Sequence, residues 1–430
     1  MRTVRVGLIG LGTVGSGVLL VLRDNREEIV RRAGLEFRVV LACARDLDKS
    51  RVALLEGIQL TTDPFAVVKS PEVELVVEVM GGLEPATQVI EQALASGKAV
   101  VTANKAVIAR HGARLIQQAE QKGTTLLFEA AVAGGIPILK VLRAGLAGNR
   151  VTALAGIING TCNFILTEMQ RRGVDFAGVL KEAQQLGYAE ADPSSDVDGI
   201  DAAHKLAILA TLAFGIPLAF EAVHCRGIGA VTAADIRYAD ELGYRIKSLA
   251  LARSDTRGVS LSVLPTLVPK SHLLAAIGGV TNAVMVQGNA AGSTVYSGAG
   301  AGGLATASAI VADMIEAARG VRSPALGFPS QGIRALPVVP TGARKSAHYL
   351  RLLVADQPGV LAAITAILAE HKISIEAIQQ KEPAHEGDDV PVVLLTGEVA
   401  EAAMQDAEIQ MQKLPVVKAP IVRFSVEHLA

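Results

Sequence analysis

Apolar positions along this chain come in blocks, and the spacing inside each block predicts an element. Val4–Ile9 is nearly continuous and rich in β-branched residues, as a strand covered on both faces must be. Val18–Val30 then changes to helical periodicity. Strands follow at Phe37–Ala42, Leu75–Val79, Ala99–Thr102 and Thr124–Phe128, with helical runs after the second and third of these. Strands alternating with helices predict a parallel, doubly wound α/β sheet. Further on, the helices Phe164–Arg171 and Ala305–Ala318 and the strands Tyr244–Ala252 and Val259–Leu264 predict an α+β region in which strands and helices alternate. Between them, Leu186–Leu209 begins as a loop punctuated by Gly187, Pro193 and Gly199. It becomes a helix for which Asp198 is a fair N-cap. Pro337–Lys345 reads as a linker. The tail runs strand His348–Val354, helix Gly359–His371, strands Ile373–Gln380 and Pro391–Thr396, helix Val399–Lys413 and strand Ile421–Val426. That βαββαβ order is ferredoxin-like.

Length and charge narrow the class. A chain of 430 residues holds about two or three domains. Its net charge is -1 and it has no Lys/Arg run, which argues against nucleic acid or an anionic membrane surface as partner. Arg2 and Arg5 before an apolar run imitate a signal peptide, but glycines break that run. No apolar stretch is long enough to span a bilayer, so a soluble, cytoplasmic protein is expected. Cys43, Cys162 and Cys225 are odd in number and widely spaced, which suits a reducing compartment rather than a disulfide framework or a zinc site.

Candidate chemistry enters at the glycines. Gly10-Leu11-Gly12-Thr13-Val14-Gly15 lies between the first strand and its helix, the context that makes GxGxxG a dinucleotide fingerprint. Gly10 makes the turn, Gly12 admits a pyrophosphate, and Gly15 lets helix pack on strand. After the second strand Arg45 suits a ribose 2′-phosphate and favours NADP, while Asp46 keeps NAD open. Lys105 follows the C-terminal end of a strand, where ligands of open α/β sheets bind. Glu129 precedes a glycine-rich turn, Val132 to Ile136, whose carbonyls with one carboxylate form either an oxygen-only cation site or a structural turn. Cys162 opens a helix as either a packing thiol or a nucleophile. Glu190, Asp192, Asp196, Asp198 and Asp201 crowd one short span, with Lys205 one helical turn beyond Asp201. That pair is either an exposed salt bridge or a lysine tuned for proton transfer. A second glycine cluster, Gly298 to Gly303, is either a flexible turn or an anion cradle.

The motifs GLGTVG, VTANK, EAAVAGGIPI, NGTCNFIL, GYAEADPSSDVDGIDAAHK and YSGAGAG, in this order over residues 1–330, closely resemble those of homoserine dehydrogenases. The resemblance implies reversible NAD(P)H-dependent reduction of L-aspartate 4-semialdehyde to L-homoserine, a step in threonine, methionine and isoleucine biosynthesis. It implies Lys205 as proton donor and acceptor, Glu190 and Asp201 as substrate ligands, and Lys105 in contact with substrate and cofactor. Gly187 and Gly302 would lie near the nicotinamide. A sodium-type cation would sit at Glu129 and the backbone of Val132, Gly134 and Ile136. Cys162 stands where many relatives carry threonine, and Asp192, Asp196 and Asp198 receive no role. Asp356-Gln357-Pro358-Gly359-Val360-Leu361 resembles an ACT module, implying amino-acid feedback, with threonine as effector, or a tail that serves only dimerisation.

The expected organisation is a Rossmann-type dinucleotide-binding domain over 1–128, an α+β substrate and dimerisation domain over 129–330, a linker over 331–347 and an ACT domain over 348–430. A homodimer or homotetramer is expected. Two rivals are weighed: a phosphorylating semialdehyde dehydrogenase using Cys162, and a non-catalytic sensor of nucleotide and amino acid.

Overall fold

A computed structural model describes residues 1–46, 55–320, 323–381 and 389–429. Contacts divide them into two compact units that are not consecutive along the chain. One comprises residues 1–154, 203–222 and 281–336; the other comprises 155–202, 223–280 and 337–430.

The first unit is built on a six-stranded parallel sheet. Its spatial order is Gln59–Thr61, Leu35–Cys43, Arg2–Ile9, Leu75–Glu78, Ala99–Thr102, Leu126–Leu127. Every residue of Leu75–Glu78 is buried, as a central strand covered on both faces requires. The apolar run Val18–Val30 is two helices rather than one, Thr13–Asp24 and Arg26–Ala33, broken at Asn25. Asp24 and Asn25 are poor helix formers, and the second helix buries only Ile29. Across the first lies Gly303–Ala318, far along the chain. Its Ala307, Ile310, Val311 and Met314 share one core with Leu8, Val18 and Val77. The two helices meet at glycines: a Cβ on Gly17 would fall 2.4 Å from the Gly303 carbonyl oxygen. The strands Thr281–Gly288 and Gly292–Ala299 form an antiparallel hairpin that the periodicity did not predict.

The second unit departs from the expected alternation of strand and helix. Tyr244–Asp255 and Gly258–Pro269 form one long antiparallel hairpin. Gly258–Pro269 also pairs in parallel with Val422–Val426 through Thr266↔Ser425 and Leu267↔Val426. Antiparallel Lys345–Val354, Val390–Thr396 and Ile375–Gln380 extend the sheet, which gives the tail its ferredoxin-like order. Residues read as a linker are docked: the amide of Val259 donates to Pro337 O at 2.9 Å and that of Val339 to Val259 O at 2.8 Å. Lys345 already belongs to the strand.

On one face of the tail sheet, the helices Val360–Glu370 and Glu401–Gln412 cover a core containing Leu350, Ile364 and Met404. On the other, Tyr349, Val393 and Phe424 share a core with Ile165 and Met169 of Gly160–Arg172 and Ile236 of Ala233–Glu241. Asp235 ties the two together. It completes a capping box with Thr232 and accepts from Tyr349 Oη at 3.0 Å and Arg351 Nε at 2.6 Å. Among the described residues no helix is long and apolar enough to cross a membrane.

Candidate active site

The first strand delivers the chain into the glycine turn at the C-terminal edge of the parallel sheet. Gly10 has φ +107°, and a Cβ there would stand 2.6 Å from Val79 O. A Cβ on Gly15 would stand 1.9 Å from Gly10 O. Both glycines are therefore required by the fold. Gly12 is different: no protein atom lies within 4 Å of its Cβ position. The space it leaves opens on a cleft lined by Gly10, Gly12, Ala44, Arg45, Asp46 and Met80. Thr13 and Val14 begin the helix Thr13–Asp24, whose N-cap Gly12 has no side chain to cap its first amides, the kind of helix start that suits a pyrophosphate. The residues fit a dinucleotide. Arg45 and Asp46 are both exposed at its rim. Lys105 opens the helix Lys105–Gln121, which is capped by Asn104 Oδ1 accepting from the Val107 amide at 3.2 Å.

In the second unit, the acidic stretch is organised by a residue that motif reading passed over. Asn159 caps Gly160–Arg172, its Oδ1 accepting from the Cys162 amide at 2.8 Å. Its Nδ2 donates to Asp196 Oδ1 at 2.7 Å and to Asp201 Oδ2 at 2.9 Å. One buried amide thus gathers two carboxylates. An Asn before Gly-Thr at a helix start was the available signal, as an N-cap. Asp201 is 6% exposed and Lys205, one turn on along Ile200–Phe214, is half-buried. Asp198 does not cap that helix. It closes the one-turn helix Ser194–Val197, and Gly199, with φ +86°, intervenes before Ile200. The turn at Gly187 (φ +74°) is held by Thr161 Oγ1 donating to Tyr188 O at 2.6 Å. Glu190 is exposed, its carbonyl accepting from Gln184 Nε2 at 3.1 Å. Asp192 accepts from the Ser194 hydroxyl at 2.7 Å and shapes its own loop. The Cys162 thiol is buried and donates to Asp196 O at 3.2 Å, as a packing cysteine does.

Glu129 is 3% exposed, and both its carboxylate oxygens are engaged, accepting the amides of Leu139 and Lys140 at 2.9 Å each. Burial, and Asp313 beside it, push its carboxyl up to about 7. Asp313 in turn holds Lys140 Nζ at 2.8 Å. Among the described residues no group of three His, Cys, Asp or Glu side chains could hold a metal. The two glycine clusters are one feature. The Gly135 amide donates to Ala299 O at 2.9 Å, and a Cβ on Gly134 would stand 2.6 Å from Gly300 O. Close backbone packing explains most of the second cluster, while Gly302, with φ +113°, stays exposed before the helix Gly303–Ala318.

Comparison with known proteins points one way. Residues 137–315 match the family model "Homoserine dehydrogenase", 10–129 match "Homoserine dehydrogenase, NAD binding domain", and 348–407 match "ACT domain". The homoserine dehydrogenase of Pseudomonas aeruginosa is 49% identical over 436 residues, covering 100% of both chains. A crystal structure of a homoserine dehydrogenase from Thiobacillus denitrificans matches with TM-score 0.94 and 51% identity over 99% of each chain. A hyperthermophilic archaeal homoserine dehydrogenase in complex with NADPH matches 75% of this chain and 99% of its own, with TM-score 0.64 and 28% identity.

Proposed function

The chain belongs to the homoserine dehydrogenases, NAD(P)-dependent oxidoreductases, and on that premise we propose which of its residues perform the reaction. Lys205 is the acid–base group. In the reducing direction the nicotinamide supplies hydride to the aldehyde carbon. The ammonium of Lys205 gives its proton to the aldehyde oxygen, whose growing charge it also offsets. In the oxidising direction the neutral amine takes the hydroxyl proton back. Asp201, one turn earlier on the helix, and Glu190 bind the polar end of the substrate. Lys105 meets substrate and cofactor. Gly10, Gly12, Thr13, Val14 and Gly15 hold the pyrophosphate, with Gly187 and Gly302 beside the nicotinamide. The observation that carries this reading is the clamp of Asn159 on Asp201, which fixes a buried carboxylate one helical turn before Lys205. The test is Lys205→Ala: turnover should fall by at least about 1000-fold while cofactor still binds. Near-normal turnover would remove Lys205 from the role.

Finer features belong to the same proposal. Arg45 at the cleft rim favours NADP, which a comparison of kcat/KM with NADP and NAD decides. A sodium-type cation binds at Glu129 and the backbone of Val132, Gly134 and Ile136, and exchanging sodium for a bulky organic cation should lower activity. In the tail, the turn Asp356–Gly359 with Gln380, Val390 and Val392 lines a pocket suited to a free amino acid. Threonine, the pathway's end product, is its effector, and calorimetric titration checks it. The chain works in the cytoplasm as a homodimer or homotetramer, for which light scattering is the measurement.

A further inference from the structure

Glu78 is the last residue of Leu75–Glu78, its side chain fully buried in the middle of the parallel sheet. Among the described residues it has no ion-pair partner, and its neighbours Val76 and Val77 on the same strand are apolar. A buried carboxyl without a cation is costly, and burial pushes its pKa upward. Plain packing would be served better by another valine.

What the carboxyl does is close a ring. It accepts the Met80 amide at 2.8 Å and the Thr102 hydroxyl at 2.6 Å. The Thr102 oxygen accepts the Asn104 amide at 3.0 Å. Asn104 Nδ2 donates to Gly82 O at 2.7 Å, which brings the ring back to the loop after Glu78. Two functional walls hang on it. Val79, Met80 and Gly81 line the dinucleotide cleft, and Val79 O is the atom against which Gly10 packs. Asn104 also caps the helix that Lys105 opens. We propose that Glu78 is a positioning residue for the cofactor: through Met80, Thr102 and Asn104 it fixes the Val79–Gly82 wall of the cleft and the start of the Lys105 helix.

The test uses Glu78→Ala, Glu78→Gln and Thr102→Val in the full chain, with NADPH affinity read from the cofactor's own fluorescence, KM for homoserine and melting temperature. Glu78→Ala should weaken NADPH binding by about tenfold or more and shift KM for homoserine, measured at saturating cofactor, by a smaller factor, because Lys105 is reached only through the start of its helix. Glu78→Gln should restore binding to within about threefold, because its amide can accept from Met80 and donate to the Thr102 oxygen. Thr102→Val, nearly isosteric, should fall between the two. Should Glu78→Ala fail to fold, Thr102→Val decides alone. The proposal is overturned if Glu78→Ala or, where that variant does not fold, Thr102→Val binds NADPH within about twofold of the parent, or if melting temperature and homoserine KM change with no selective loss of cofactor.

Discussion

Asn159 does two jobs with one amide, and they can be separated. As an N-cap, Asn and Asp are equivalent. As a clamp they are opposites, since an Asp would set a third carboxylate against Asp196 and Asp201. Asn159→Asp is therefore expected to keep the fold yet lower kcat/KM for homoserine by at least about tenfold, with cofactor affinity unchanged. Steady-state kinetics and a cofactor titration check both halves. Lys247 offers a pH test of burial. It is 4% exposed, donates to Asn163 Oδ1 at 3.3 Å and to Ile277 O, and burial with Arg245 nearby lowers it from 10.5 to about 8. Below pH 8 both folded and unfolded states carry the proton, and the folded state bears the cost of a buried charge. Between 8 and 10.5 the folded state has released its proton while the unfolded state keeps it, so stability rises with pH. Relative to Lys247→Met, which lacks this group, the parent should gain about 3 kcal/mol across that window in denaturant titrations.

At the scale of elements, glycine has two meanings in the dinucleotide-binding unit. Gly17 is small because helix Gly303–Ala318 crosses helix Thr13–Asp24 there with backbone against backbone. Gly12 is small although nothing in the protein crowds it. Gly17→Ala should therefore push two helices apart and cost about 1–3 kcal/mol of stability. Gly12→Ala should leave stability within about 0.5 kcal/mol while weakening the cofactor. Urea unfolding together with NADPH titration distinguishes them, and equal effects in the two variants would contradict the assignment. The same logic relocates the second glycine cluster. Gly300 is small because a Cβ would overlap the Asn282 side chain at 2.0 Å, which has nothing to do with an anion.

At the scale of the molecule, the tail is part of the fabric of its unit rather than a detachable sensor. Val422–Val426 pairs with Gly258–Pro269, and Tyr349 and Phe424 lie in the same core as Ile165, Met169 and Ile236. Asp235 binds Arg351 and Tyr349 across that core. A chain ending at Leu336 should therefore lose cooperative unfolding or fail to stay soluble, instead of yielding an active enzyme freed from regulation. Circular dichroism melting of the truncated protein checks this. The helix Gly160–Arg172 that packs under the tail sheet is capped by Asn159, which holds Asp201, so the core of the tail and the acidic cluster share one element.

What the residues themselves determined was local: the parallel strands, the glycine fingerprint between the first strand and its helix, the ferredoxin-like order of the tail, and the acid-rich stretch leading into Lys205. Each is written within one element or one turn, where covalent geometry and hydrophobic period leave few choices. The motifs in order also gave the family. What only the folded chain decided were partnerships across long separations. Asn159 and Asp201 are 42 residues apart, and the Glu129 amide donates to Asp313 Oδ2 across 184. The helix Gly303–Ala318 returns to the first sheet from far along the chain, and the middle strands pair as antiparallel hairpins instead of alternating with helices. Such contacts carry no periodic signature, because a buried amide, a carboxyl or a glycine reads the same in sequence whether its partner is water, a helix end or another backbone. Which partner it meets is settled by packing, once the sheets exist to bring them together.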